Sequence, residues 1–75
     1  MDSLKLGRYR HYKGHEYEVI GVGRDSESLE EVVIYKGLYE DGFGKNSIWV
    51  RPLKMFLEKV KINGKEVPRF DYLGK

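Results

Sequence analysis

The run from His15 to Arg24 constrains this chain more than any other feature. It reads as one pleated segment, yet Tyr17 and Val19 share one face while Ile20 and Val22 share the other. Side chains of a strand alternate with a period of two, so a flat strand cannot bury both sets on one side. Gly21 and Gly23 stand where the phase changes. The pattern predicts one long strand, bent through a bulge or kink and contributing to two sheets of a small barrel.

Residue usage elsewhere agrees. The chain contains no alanine, glutamine or threonine and is rich in valine, isoleucine and tyrosine. Alanine is the best helix former, and the favoured residues suit a pleated, half-buried surface. Nine glycines supply bends for a curved sheet. With 75 residues a single domain over 1–75 is expected, with 1–6 as a loosely ordered lead-in and 7–73 as the core. At this length folding hides only about 60% of the surface of the open chain. Cysteine is absent, which excludes disulfides, thiolate metal sites and a catalytic thiol, so packing must supply the stability. The first fifteen residues are broken by polar or charged groups, and no stretch approaches the roughly 20 apolar residues of a membrane span. A cytoplasmic protein without a membrane role is the expectation.

Along the chain, Gly7 to Tyr12 alternates as a strand and Lys13-Gly14 reads as a tight turn. Asp25 to Glu30 is a polar turn: Ser28 and Glu31 have capping-box spacing, but no helical apolar stripe follows. Glu31 to Tyr39 is apolar or aromatic on both faces, as a central strand would be, and Glu40 to Asn46 reads as irregular. Ser47 to Arg51 is a short strand carrying the only tryptophan, Trp49. Pro52 then opens a turn of helix near residues 52–57, whose Leu53, Met55 and Phe56 would plug one end of a barrel. Val60 to Val67 forms a hairpin around Asn63-Gly64, the preferred two-residue type I′ turn. It places Lys61 opposite Glu66 and Val60 opposite Val67, each pair favourable by ~0.2–1 kcal/mol. The expected fold is all-β and mostly antiparallel: a small SH3-like barrel of five or six strands with one short helical turn.

Three ordered motifs point further. They are Gly7-x-Tyr9-x-His11-Tyr12-Lys13-Gly14-x-x-Tyr17-x-Val19, Trp49-Val50-Arg51-Pro52-x-x-Met55-Phe56, and Val67-Pro68-Arg69-Phe70. Together they resemble the small bacterial domain-of-unknown-function family 1653 over roughly Gly7 to Tyr72. The resemblance implies a standalone bacterial domain without an assigned activity.

Several constellations bear on function. His11 and His15 are four apart, the spacing of two metal ligands on a helix, but the strand pattern and Gly14 argue against a helix. No metal or cofactor is therefore expected. With Lys13-Gly14 as a tight turn, His11 would face Glu16, which gives a small-molecule or enzymatic reading using His11 with Glu16 or Glu18. No serine sits in a recognisable nucleophile motif, and a domain this small has little room for an enclosed site, so an enzyme is not expected. Gly21-Val22-Gly23-Arg24 lacks the third glycine and the following helix of a phosphate loop.

What remains is aromatic and basic. Tyr12, Tyr39, Phe43, Trp49 and Arg51 are the candidate binding residues, with Trp49 and Arg51 two apart on one face of a strand that Pro52 ends. Rings flanked by cations can grip a peptide or stack on single-stranded nucleic acid. The formal charge of +2 is a weak field for the latter. A binding or adaptor module for a protein or peptide is the favoured expectation, with a weak single-strand binder as the alternative. A monomer, or a weak homodimer through an uncovered edge strand, is expected.

Overall fold

The computed structural model describes residues 4–75. Its elements run β1 (Gly7–His11), β2 (Glu16–Arg24), β3 (Glu31–Gly37), β4 (Glu40–Asp41), β5 (Gly44–Lys45), β6 (Ile48–Pro52), α1 (Leu53–Phe56), β7 (Lys59–Ile62), β8 (Lys65–Pro68) and β9 (Phe70–Gly74). Five strands form one sheet in the order β6-β3-β2-β1-β9, every neighbour antiparallel. β4 with β5 and β7 with β8 are separate two-stranded hairpins.

The predicted bend in β2 is a bulge at Ile20. Val19 lies opposite Tyr35, but Gly21, not Ile20, lies opposite Ile34, and Val22 opposite Val33. One extra residue therefore restores the phase. Val22 returns to the side of Val33, and β2 stays in one sheet instead of serving two. Ile20 is left 46% exposed.

The fold is mostly antiparallel β with one short helical turn, as expected; hydrogen bonding among the described residues stops at β6 on one side and β9 on the other, so the five-stranded sheet does not close into a hydrogen-bonded barrel. The last hairpin, which would extend a wall, pairs with itself, its base closed by the Arg69 N–H donating to the Glu58 carbonyl at 3.0 Å, and it joins the body where the Tyr12 N–H donates to the Arg69 carbonyl at 2.9 Å. Side chains bridge the ends that the backbone leaves apart: the Arg51 guanidinium of β6 lies 5.6 Å from the ring centre of Phe70 on β9.

Tyr9, Val19, Val33, Tyr35, Phe56 and Phe70 make the buried core, with Leu4, Tyr17, Trp49, Leu53 and Tyr72 packed against it. Phe56 and Phe70 stack at 4.1 Å and 6°. Of the helical turn, Phe56 is buried and Leu53 half-buried, while Met55 faces outward, so only two of its three expected plugs turn inward. Leu4 and a 2.6 Å hydrogen bond from the Tyr9 hydroxyl to the Lys5 carbonyl tie down the described part of the lead-in; residues 1–3 of it lie outside the described residues.

The turns follow their chemistry. Asn63 and Gly64 both take positive φ, 52° and 81°, and Lys61 faces Glu66 as the register requires. Asp25 Oδ1 accepts the N–H groups of Glu27 at 2.8 Å and Ser28 at 3.0 Å, which organises the polar turn and holds its carboxyl below the usual value. Glu40 to Asn46 is not irregular, since β4 and β5 pair there.

Candidate functional site

The inner face of the sheet determines which candidates meet. Tyr9 and Tyr17 face each other across β1 and β2, as do Tyr35 and Trp49 across β3 and β6. On β6, Arg51 lies opposite Val33, a fully buried residue, so Trp49 and Arg51 share the core face as their spacing predicts. Each then goes to a different partner. Trp49 meets the Phe43 ring edge-on at 5.9 Å, and the Arg51 Nε–H donates to the Tyr35 hydroxyl at 3.1 Å.

The β1–β2 turn shifts the histidines from their expected places. The loop holds three residues, Tyr12 to Gly14, not two. Arg10 therefore faces Glu16, and His11 bonds its N–H to the His15 carbonyl at 2.8 Å. Gly14 takes φ +112°, which lets the longer loop close. Glu16 lies 3.5 Å from Arg10 and 3.8 Å from Arg8, and Glu18 lies 3.4 Å from Lys36. The expected pairing of His11 with Glu16 or Glu18 is not assembled. Among the described residues no three metal-ligating side chains gather.

His11 instead joins the aromatic cluster. Its ring lies 4.9 Å from Phe70, 6.4 Å from Tyr17 and 4.6 Å from Tyr12. Its Nδ1 accepts the Lys13 N–H at 3.2 Å, so the neutral ring carries its proton on Nε2. Burial, and next the positive charges of Arg51, Arg69 and Lys13, hold its pKa below the ordinary histidine value.

Tyr39 connects this cluster to the second histidine. His15 stacks on the Tyr39 ring at 3.9 Å and 16°, and the hydroxyls of Tyr39 and Tyr17 are 2.9 Å apart. Tyr17 meets Tyr35 edge-on at 5.3 Å. Burial, reinforced by the Tyr39 hydroxyl, raises the Tyr17 pKa well above that of a free phenol.

One end of the inner face is thus a connected series: His15, Tyr39, Tyr17, Tyr35, Arg51, Phe70, His11 and Tyr12. It includes three of the five residues singled out by sequence, Tyr12, Tyr39 and Arg51. Trp49 and Phe43 lie beside it through the β3–β6 pairing and the β4–β5 hairpin. Sequence reasoning weighed His15 only as a metal ligand and left Tyr17 and Tyr35 out of the five binding candidates, because the contacts that recruit them join residues distant in the chain. Tyr12 is 37% exposed and Phe43 84% exposed, while Tyr39, Trp49 and Arg51 are half-buried.

Arg69 lies across the loop. Its guanidinium is 6.0 Å from the Tyr12 ring and 3.2 Å from Glu58, and its Nε is buried without an acceptor. A shallow hollow of about 350 Å³ nearby is lined by Arg10, His11, Tyr12, Ile62, Val67, Pro68 and Asp71.

Among curated proteins nothing matches the chain. A crystal structure of a DUF1653 protein from Bordetella bronchiseptica is similar, with 36% sequence identity and a TM-score of 0.86 over 96% of this chain and 90% of that one. A family model described as "Protein of unknown function (DUF1653)" matches residues 7–72. The motifs around Tyr9, Trp49 and Phe70 all fall within that match, and the chain belongs to the DUF1653 family.

Proposed function

We propose that the domain is a binding module that engages a protein or peptide through the mouth formed by Tyr12, Tyr39, Phe43, Trp49 and Arg51. The observation that carries this reading is the Phe43–Trp49 pair beside Arg51. A large ring, 84% exposed at a hairpin tip, abuts a half-buried indole whose strand neighbour on the same face is a half-buried arginine. Aromatic and arginine side chains in this arrangement are the usual anchors of protein contacts. The basic residues favour a peptide over nucleic acid. Arg8, Arg10 and Arg69 each lie against a carboxylate, and a formal charge of only +2 is a weak field for a phosphate backbone.

The test is amide chemical-shift mapping against a degenerate peptide panel and a mixed-sequence single-stranded oligonucleotide. Peptide-dependent shifts at Tyr39, Phe43 and Trp49, weakened by Phe43→Ser, are expected. Shifts confined to the outer face of the sheet, or salt-sensitive binding of the oligonucleotide alone, would overturn the reading.

A further inference from the structure

The mouth is rich in hydrogen-bond donors and poor in acceptors. Arg51 spends its Nε–H on Tyr35, and among the described residues its two terminal nitrogens have no protein acceptor and no carboxylate. Neither is sealed from solvent, since the one buried and unpartnered side-chain nitrogen or oxygen among those residues is Arg69 Nε. The Tyr35 hydroxyl accepts from Arg51 and keeps its own proton to give. Of the Tyr17 and Tyr39 hydroxyls, 2.9 Å apart, one donates to the other and the second proton has no protein acceptor. His11 adds an Nε2–H, because its Nδ1 is occupied by the Lys13 N–H.

Ring contacts hold these donors together. Phe70 lies 4.9 Å from His11, 5.7 Å from Tyr17, 5.7 Å from Tyr35 and 5.6 Å from the Arg51 guanidinium. Half-buried donors that meet no acceptor are costly unless a ligand or water supplies one.

From this donor excess we infer that the mouth is a carboxylate-binding site, in which the paired terminal nitrogens of Arg51 take both oxygens of one carboxylate and the tyrosine hydroxyls orient it. The inference rests on the binding-module reading and names the group recognised. A guanidinium whose Nε is already engaged presents its two terminal N–H groups as a fork that matches a planar carboxylate. Charge count selects a monoanion. Arg69 is balanced by Glu58 and His11 stays neutral near pH 7, which leaves Arg51 as the one uncompensated charge among the inward-facing donors, while Lys13 carries its charge at the exposed loop over the Tyr12 ring at 5.9 Å. The flanking Trp49 and Phe43 rings favour a carboxylate borne on an apolar group. Such a group is found at the C-terminus of a peptide ending in an apolar residue, or on a small aryl acid.

The experiment titrates the full chain with a short peptide ending in phenylalanine, as the free acid and as the C-terminal amide, with benzoate and inorganic phosphate alongside. The readouts are the Arg51 Nε–H resonance and the dissociation constant. The free acid should shift that resonance and bind about tenfold or more tightly than the amide, as expected when one charge-assisted contact is lost. Tighter binding of the peptide than of benzoate identifies a peptide C-terminus, whereas equal binding identifies a small acid; either outcome supports the carboxylate site. Arg51→Met should abolish the preference for acid over amide, and Tyr35→Phe should reduce it. Both variants must retain the wild-type dispersion of amide shifts. Equal affinity for acid and amide overturns the carboxylate assignment while leaving the module reading intact. Failure of peptide acid and benzoate alike to shift Arg51, or displacement of the peptide by phosphate, also overturns the assignment.

Discussion

Phe56 offers the sharpest test of how this small domain is held together. Its side chain is 2% exposed and meets three rings: Phe70 stacked at 4.1 Å, Tyr9 edge-on at 5.4 Å and Tyr35 at 5.6 Å. Truncating a buried phenylalanine to alanine costs about 3–5 kcal/mol, because transfer energy is lost and a cavity remains. A domain of 75 residues has in total roughly 4–11 kcal/mol, from about 0.05–0.15 kcal/mol per residue. Phe56→Ala should therefore leave the domain marginal or unfolded at 25 °C. Phe56→Leu retains most of the apolar volume and loses the ring geometry, at about 1–2 kcal/mol. Urea unfolding followed by Trp49 fluorescence reads both. With a slope near 1 kcal/mol/M for a chain this short, the leucine variant should lose about 1–2 M of midpoint. The alanine variant should lose about 3–5 M, or show no folded baseline at all. A drop of less than about 1 M for Phe56→Ala at unchanged slope would refute the claim that these four rings anchor the core.

Three further outcomes are expected. A Cβ at Gly7 would stand 2.7 Å from the Gly74 carbonyl oxygen, whereas one at Gly64 meets nothing within 4 Å. Both glycines take positive φ, so Gly64→Ala should cost about 1–2 kcal/mol and Gly7→Ala more, with thermal melts ranking them in that order. His11 is held below its ordinary value, so the unfolded chain binds the proton more readily; stability from neutral His11 is full above about pH 6.5 and is lost as the pH falls through the folded value. Between pH 7 and 5 the wild-type Tm should therefore fall faster than that of His11→Gln, and an NMR titration of His11 with a midpoint above 6.5 would contradict this. Glu16→Gln should cost no more than about 1 kcal/mol in urea melts, because Arg8 and Arg10 hold it in exposed, solvent-screened pairs.

What the sequence disclosed about this fold was local chemistry. Asn63-Gly64 fixes its own turn and hence the register of Lys61 on Glu66, and the clash of faces around Gly21 announces an extra residue. Where two local solutions are both permissible, sequence is mute. Gly14 accommodates a two-residue or a three-residue loop equally well, and the choice moved His11 from Glu16 to His15. The β4–β5 hairpin was hidden by its two glycines, which lower strand propensity without forbidding a pair of ladder positions. Closure of the sheet depends on how far it curls, a sum over all strands that no single motif records. The site was half legible for the same reason: Trp49 and Arg51 are two apart, but the Tyr17–Tyr39 hydroxyl contact spans 22 positions and Arg51 reaches Tyr35 across 16.

The antiparallel pairing of β1 with β9 has a topological consequence. Arg8 lies opposite Gly74, so the two extremities of the fold leave the same edge side by side. A short flexible splice from the end of β9 to the start of β1 would bridge them with little distortion. New termini could then be opened at the exposed Asn63-Gly64 tip without cutting the five-stranded sheet. Such a permuted chain should regain the same arrangement of rings, and the domain could be grafted into a surface loop of a host protein by those adjacent ends.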